Sequence, residues 1–112
     1  MSYKMHRGLG EGAISVTVAP GELWELEGIR LHLSAGGAAS ALTVTVDSGF
    51  SSTFDAVILT VSAADMTGET DVDYRWSPTQ KFLNKDDKIV IAYANGDSAT
   101  WGLEVLYKPL GG

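Results

Sequence analysis

The chain has 112 residues, a formal net charge of −6 and no cysteine. The lack of thiols excludes disulfides, thiolate catalysis and Cys-type zinc sites, and the acidic balance argues against binding a nucleic-acid backbone, which needs clustered lysines and arginines. No apolar run reaches the roughly 18 residues of a membrane span. We therefore expect one globular domain, made in a cytoplasm without a secretory signal, whose partners are neither nucleic acid nor membrane.

The first twelve residues differ from the rest of the chain in charge. Lys4, Arg7 and Glu11 give them a balance of +1, whereas the other 100 residues hold six basic against 13 acidic side chains. Three glycines and a low apolar content predict an extended arm over residues 1–12, ahead of a β domain over residues 13–110. The arm either frays, as termini commonly do, or orders against a neighbouring subunit. In the second case, the candidate assembly residues are Tyr3, Lys4, Met5, Arg7 and Leu9.

Alternation of apolar and polar residues predicts β-strands, because successive side chains of a strand point to opposite faces. The first strand candidate is Ala13–Val18, which a Pro-Gly turn follows. The second runs from Glu22 to Ser34, and its apolar parity changes near Gly28, which predicts a β-bulge there. A short helical turn over residues 21–28 is the alternative, because Glu and Leu are good helix formers.

The middle of the chain continues this pattern. Leu42–Asp47 is the third strand candidate and Phe54–Val61 is the fourth. The fourth is apolar at consecutive positions, as expected of a strand covered on both faces or lying at a subunit contact. A polar loop follows, with a helical turn expected at Ala63–Met66.

Four further strand candidates complete the chain. They are Asp71–Trp76, Lys81–Leu83, Ile89–Tyr93 and Thr100–Lys108. Ser77-Pro78 ends the first of them, and Asn95-Gly96-Asp97 is the clearest turn signal between the last two.

Eight antiparallel strands joined by short loops predict an all-β sandwich with jelly-roll-like connections. A seven-stranded immunoglobulin-like sandwich is the alternative, although the Cys and Trp spacing of true immunoglobulin domains is missing. The expected core includes Leu31, Val44, Val46, Ile91, Leu103 and Val105.

The ionisable residues form no recognisable catalytic pattern. His6 and His32 lack the spacing of metal ligands. Asp71 and Asp73 would share a strand face and could hold a calcium ion, but they do not fit an EF-hand loop, and solvated carboxylates are the simpler interpretation. No sequence feature selects a carboxylate pair as a glycosidase acid and base. We therefore expect no enzymatic activity, no metal site and no cofactor.

The tryptophans and tyrosines could serve either a core or a ligand platform. Tyr74, Trp76, Trp101 and Tyr107 lie on the apolar parity of their strands. This parity favours core packing, because a sugar-stacking platform needs aromatic rings on an outward face.

Three stretches carry a resemblance to a known class of proteins: Pro20–Gly37 (PGELWELEGIRLHLSAGG), Leu42–Thr60 (LTVTVDSGFSSTFDAVILT) and Tyr93–Leu110 (YANGDSATWGLEVLYKPL). They resemble the small β-sandwich proteins encoded in the structural-gene regions of tailed bacteriophages. The resemblance covers roughly residues 13–110 and consists of a pattern of strands and turns, with no catalytic signature.

This resemblance implies a virion component, which is a capsid decoration or head-fibre protein, or a neck or tail accessory protein. The expected function is that of a capsid decoration or cement protein that self-associates and stabilises neighbouring major capsid subunits. A neck, tail or baseplate accessory protein of the same fold is one alternative, and a carbohydrate-binding attachment module is another. Symmetric self-association is usual for such parts, so the expected partners are the chain itself and other virion proteins.

Overall fold

The computed structural model describes residues 3–77 and 81–110; Met1, Ser2 and Pro78, on which parts of the predictions fall, lie outside these ranges. The strands are β1 (Lys4–Glu11), β2 (Ile14–Val18), β3 (Trp24–Leu33), β4 (Leu42–Asp47), β5 (Ala56–Val61), β6 (Asp71–Arg75), β7 (Phe82–Leu83), β8 (Lys88–Tyr93) and β9 (Thr100–Pro109). A short 3-10 helix over Ser52–Phe54 precedes β5, and the four-residue helix α1 (Ala63–Met66) follows it.

The strands form two antiparallel sheets. The first has the order β1-β9-β3-β6, with β7 also pairing with β3, and the second has the order β2-β8-β4-β5. The couples β1/β9, β2/β8, β3/β6 and β4/β5 are nested along the chain, which is the connectivity of a jelly roll. The predicted all-β sandwich is confirmed, with nine strands in the described residues because the N-terminal segment adds one to the eight expected.

The two sheets bury a single core between them. Of the six residues predicted for it, five are fully buried and Val46 is half-buried at its margin. The largest fully buried side chains are Trp24, Tyr93, Ile14, Leu26, Ile29, Leu31, Leu33, Leu42, Met66, Ile89, Ile91 and Leu103. They come from strands of both sheets and from α1, so removing either sheet would expose the other.

The predicted bulge in β3 is confirmed. The pairing of β3 with β9 shifts register between Leu26 and Gly28, so Trp24 and Leu26 face the core before the bulge and Ile29 faces it afterwards. A Cβ on Gly28 would lie 2.8 Å from the carbonyl oxygen of Tyr74 on β6, so only glycine allows the two strands to approach here. The alternative of a helical turn over residues 21–28 is wrong.

The fourth predicted strand forms β5, which is an edge strand of the second sheet. β5 pairs with β4 alone, and Ile58 is an extra residue that shifts the register between Val44 and Thr45. Val57 is 60% exposed, so β5 is not covered on both faces by its own chain. The predicted helical turn forms α1, where the Ser62 side chain caps the helix and Met66 is buried between the sheets.

Candidate functional site

The predicted N-terminal arm is a strand of the first sheet. β1 pairs with β9 over eight consecutive positions, from Lys4 opposite Tyr107 to Glu11 opposite Thr100. The segment is extended as expected, but it is built into the sheet rather than projecting from it. Among the candidate assembly residues, three lie on the outer face of the sheet, Lys4 lies on the other face, and Tyr3 precedes the strand. Their role in assembly stays a prediction.

Trp101 explains why a glycine-containing segment belongs to the sheet. Gly8 and Gly10 lie on the core-facing side of β1, opposite Leu103 and Trp101. A Cβ built on Gly10 would lie 3.2 Å from Cζ2 of the indole, and one on Gly8 would lie 3.5 Å from Cζ3. The ring therefore packs on the backbone of both glycines. A composition typical of a flexible arm is here a packing requirement, which the sequence pattern could not reveal.

The outer face of the first sheet carries charged side chains in rows that run across the strands. Arg7 Nε donates to Glu104 Oε2 at 2.7 Å, and Arg30 Nε donates to Oε1 of the same carboxylate at 2.9 Å. These hydrogen bonds, chiefly that from Arg30, lower the pKa of Glu104. Asp73 lies beside Arg30 in the same row and accepts from Arg75 Nε at 3.1 Å. All three arginines of the chain lie on this surface.

We name this surface the charged face. Its positions are Met5, Arg7, Leu9, Gly28, Arg30, His32, Asp71, Asp73, Arg75, Gly102, Glu104 and Leu106.

A shallow hollow of about 340 Å³ lies in the charged face above Gly102. No heavy atom lies within 4 Å of the position that a Cβ of Gly102 would occupy. Leu9, Arg30 and His32 contribute to the walls of the hollow. His32 Nδ1 donates to Asp71 Oδ1 at 2.7 Å, which lowers the pKa of Asp71. The two residues are 39 positions apart, so only the pairing of β3 with β6 reveals this contact. The charged walls of the hollow are already engaged with one another.

The two carboxylates considered for calcium lie on the charged face, two residues apart on β6 as expected. Asp71 also accepts from the Thr70 hydroxyl at 3.0 Å, and Asp73 is engaged by Arg75. Within residues 3–77 and 81–110, no three His, Asp or Glu side chains come together as a metal ion would require.

Two buried carboxylic acids that the sequence analysis did not single out lie beside the bulge of β3. Glu25 and Glu27 are only 5% and 7% exposed. Burial, and then the hydrogen bond and charge of Glu25, raise the pKa of Glu27, while a hydrogen bond from Tyr3 and the charge of Lys108 oppose the shift. In a regular strand these positions would face solvent, so the alternation of the sequence disguises a titratable pair.

The outer face of the second sheet carries no charge in its two central rows. One row runs Ser15–Ala92–Thr43–Thr60 across the four strands, and the next runs Thr17–Val90–Thr45–Val57. We name these eight residues the uncharged face. The next row contains an ion pair between Lys88 on β8 and Asp47 on β4, whose Nζ and Oδ2 lie 3.6 Å apart. Charged side chains are thus confined to the margin of this face.

Three exposed phenylalanines lie at one end of the sandwich, and we name them the phenylalanine patch. Phe50, Phe54 and Phe82 are 86%, 62% and 55% exposed. The ring centroids of Phe50 and Phe54 lie 5.8 Å apart. Together with Val46 and Asn84, the three rings help to line a hollow of about 360 Å³. The patch combines the segment of residues 50–54 with strand β7, which are far apart in the sequence.

Hydrogen bonds tie together the two segments that carry the phenylalanine patch. The carboxylate of Asp87 accepts from the backbone N–H of Gly49 at 3.1 Å and from that of Asn84 at 3.0 Å. Asp55 accepts from the N–H of Ser48 at 2.8 Å, which closes the loop that carries Phe50. The loop that carries Phe50 is therefore tied to the turn that directly follows β7 and Phe82.

The other aromatic side chains divide between core and surface. Trp76 and Trp101 are buried, as core packing predicts, and Tyr107 is half-buried against the core. Trp24 and Tyr93 are buried as well. Tyr74 is 41% exposed although it lies on the apolar parity, because β6 is the edge strand of its sheet. Its ring still contacts Trp76 edge-on, with centroids 4.9 Å apart.

Comparison with known proteins adds no family: no protein-family model matches the chain, and no curated protein matches it significantly. Among the described residues, no helix is long and apolar enough to cross a membrane.

Proposed function

We propose that this chain is a non-enzymatic structural component of a tailed-bacteriophage virion. In this proposal it is a capsid-associated decoration or cement protein, which self-associates and stabilises neighbouring capsid subunits. Such a protein is made in the host cytoplasm and resides in the virion. Its partners are other copies of itself and the major capsid protein.

The phenylalanine patch is the observation that carries this proposal. Exposed apolar surface that is rimmed by polar residues commonly marks an interaction site. Here three rings lie beside Asn84 and Asp87, on two segments that are tied to each other by hydrogen bonds. A surface ordered before binding loses little conformational entropy when a partner covers it. These features suit docking onto a neighbouring protein.

The fold and the sequence resemblance support the same proposal. Jelly rolls occur in viral capsid proteins as well as in lectins. A fold hosts many functions, so this support is an analogy. The resemblance of residues 13–110 to phage structural proteins points to the first of these uses. A neck, tail or baseplate position would use the same docking surface.

The test measures the chain on purified particles of the phage that encodes it. Mass spectrometry should find it at a fixed ratio to the major capsid protein. Phe50→Ser should reduce the occupancy of particles by re-added protein at least about tenfold, because apolar anchors carry much of the affinity of an interface. Leu9→Ser is the matched substitution, since Leu9 is 84% exposed but lies on β1.

The outcomes separate the surfaces. Loss of occupancy with Phe50→Ser alone supports docking through the phenylalanine patch, whereas loss with Leu9→Ser alone supports docking through the predicted assembly residues of β1. Absence of the chain from particles washed at physiological salt would overturn the virion assignment.

A carbohydrate-binding attachment module is the second candidate, and the exposure of Phe50 and Phe54 favours it. Aromatic rings that face solvent beside polar groups can stack on sugar rings, and lectins share the fold. A glycan array, followed by titration calorimetry with any sugar that binds, tests this function. Sugar binding that Phe50→Ser abolishes would establish it, and an array without signal at millimolar sugar would exclude it.

A further inference from the structure

The uncharged face is unusual for a solvated sheet in this chain. Charged residues make up 20% of the sequence, and the charged face shows how the other sheet uses them. The eight residues of the uncharged face are instead Ser, Thr, Val and Ala. The cores of protein interfaces are depleted in charged residues, so this composition suits a surface that another protein covers.

The strand order makes this face complementary to itself. β8 and β4 lie at the centre of the order β2-β8-β4-β5. A two-fold axis that runs parallel to the strands, between β8 and β4, lays each row on the same row of a second copy in reverse order. Val90 then faces Thr45 of the second copy, and Ala92 faces Thr43 of the second copy. Larger side chains thus meet smaller ones along each row.

The same axis brings opposite charges together at the margin. Lys88 and Asp47 occupy one row on neighbouring strands, and both side chains are 45% exposed. Reversal of this row places Lys88 across from Asp47 of the second copy, and the reverse contact forms at the same time. The two-fold therefore joins two acidic bodies without burying like charges.

We propose that the uncharged face packs against the same face of a second copy of this chain, with Lys88 paired to Asp47 across the two-fold axis. The inference rests on the self-association in the proposed function and names the surface that mediates it. Four strands of about 4.8 Å each, and the two rows of the uncharged face of about 6.7 Å each, give a flat contact roughly 19 Å by 13 Å. A standard interface covers about 800 Å² per partner, so the contact is weak in isolation and strengthened by repetition on a particle.

Sedimentation velocity over a concentration series tests the pairing on the full chain. The wild type should sediment as a concentration-dependent dimer. Thr45→Lys should weaken dimerisation at least about tenfold, because it places a charge at the centre of the contact. Thr100→Lys is the matched control, since it adds the same charge to an exposed threonine on β9 of the other sheet and should leave dimerisation unchanged.

A charge exchange gives a second, independent readout if Thr45→Lys disturbs folding. Asp47→Lys should weaken the dimer, and adding Lys88→Asp should restore it, because the pair is then reversed in both copies. Failure of the double variant to recover association, with its thermal unfolding unchanged, would overturn the proposed axis. A wild type that stays monomeric up to about 1 mM would overturn the pairing itself.

Particle occupancy separates this inference from the virion assignment. A dimer that Thr45→Lys disrupts, in a protein absent from particles, would support the inference while the virion assignment fails. A monomer that loses its place on particles through Thr45→Lys would show that the face binds a capsid subunit, which overturns the pairing with a second copy.

Discussion

The outer faces of the two sheets are built on the same backbone pattern but with opposite chemistry. On the charged face, Glu104 bridges Arg7 and Arg30 and His32 contacts Asp71. On the uncharged face, the equivalent rows hold hydroxyl, methyl and isopropyl groups alone. Inward residues of both sheets must fill one core, whereas outward residues are free to differ. Because the cores of protein interfaces are depleted in charged residues, this difference is what the proposed pairing of the uncharged face predicts.

Removing the edge strand of the charged face should have the largest effect. A variant that begins at Ala13 loses β1, which leaves one side of β9 unpaired and exposes the Trp101 ring that packs on Gly8 and Gly10. We expect a loss of at least about 3 kcal/mol in the free energy of unfolding, comparable to truncation of a buried aromatic side chain. Urea denaturation measures it. A midpoint equal to that of the full chain would show that β1 adds nothing to stability.

Core truncations should show that the two sheets, despite their different outer faces, depend equally on the core. Leu103 on β9 and Ile91 on β8 are both fully buried. Replacing either by alanine should cost about 2–5 kcal/mol, because the lost transfer energy and the cavity add. Val46→Ala should cost less, since Val46 is half-buried. Thermal unfolding of the three variants would refute this packing if Val46→Ala were the most damaging.

Glu27, which is buried beside Glu25, should make the stability of the first sheet depend on pH in one direction. The pKa of Glu27 is raised above the 4.5 of an ordinary glutamate. The folded state thus binds the proton of the Glu27 carboxyl group more tightly than the unfolded state does. The stability that this proton adds is present below the unfolded pKa and is lost as the pH rises through the folded pKa. Glu27→Gln should raise the melting temperature at pH 7 relative to the wild type, and the gain should shrink near pH 4.

The matched control for this pH dependence is Glu11→Gln, at an exposed position of β1. It should leave the melting temperature at pH 7 unchanged, because the side chain that it replaces is exposed to water. An identical pH profile for Glu27→Gln and the wild type would mean that Glu27 is solvated.

The surface ion pairs of the charged face should give the smallest effect, with the opposite sign. Hydrogen bonds from Arg30 and Arg7 lower the pKa of Glu104, and one from His32 lowers the pKa of Asp71. The stability that these ion pairs add to the folded state is present above the unfolded pKa of the carboxylate, and it is lost as the pH falls through the lowered pKa. Glu104→Gln should therefore flatten the acid limb of the stability profile slightly. Thr45→Val on the uncharged face should leave that limb unchanged.

Local pattern was sufficient for much of the fold. The alternation of Leu42–Asp47 gave the limits of β4, and the parity change near Gly28 located the bulge. Both are properties of neighbouring residues, because side chains two apart share a face and an extra residue reverses it. The same reasoning failed for β1, where Gly8 and Gly10 resemble a flexible arm until Trp101 is placed over them.

The sequence by itself determined eight of the nine strands in the described residues, much of the core and the all-β class of this protein, since these follow from which side chains can face water. Only the tertiary structure decided which surfaces face outward together. The phenylalanine patch joins two segments that lie about thirty residues apart, the contact of His32 with Asp71 needs the pairing of β3 with β6, and the uncharged face needs the register of four strands. Period-two alternation predicts that a side chain points outward. Which side chain lies beside it on the next strand depends on the pairing between distant segments of the chain.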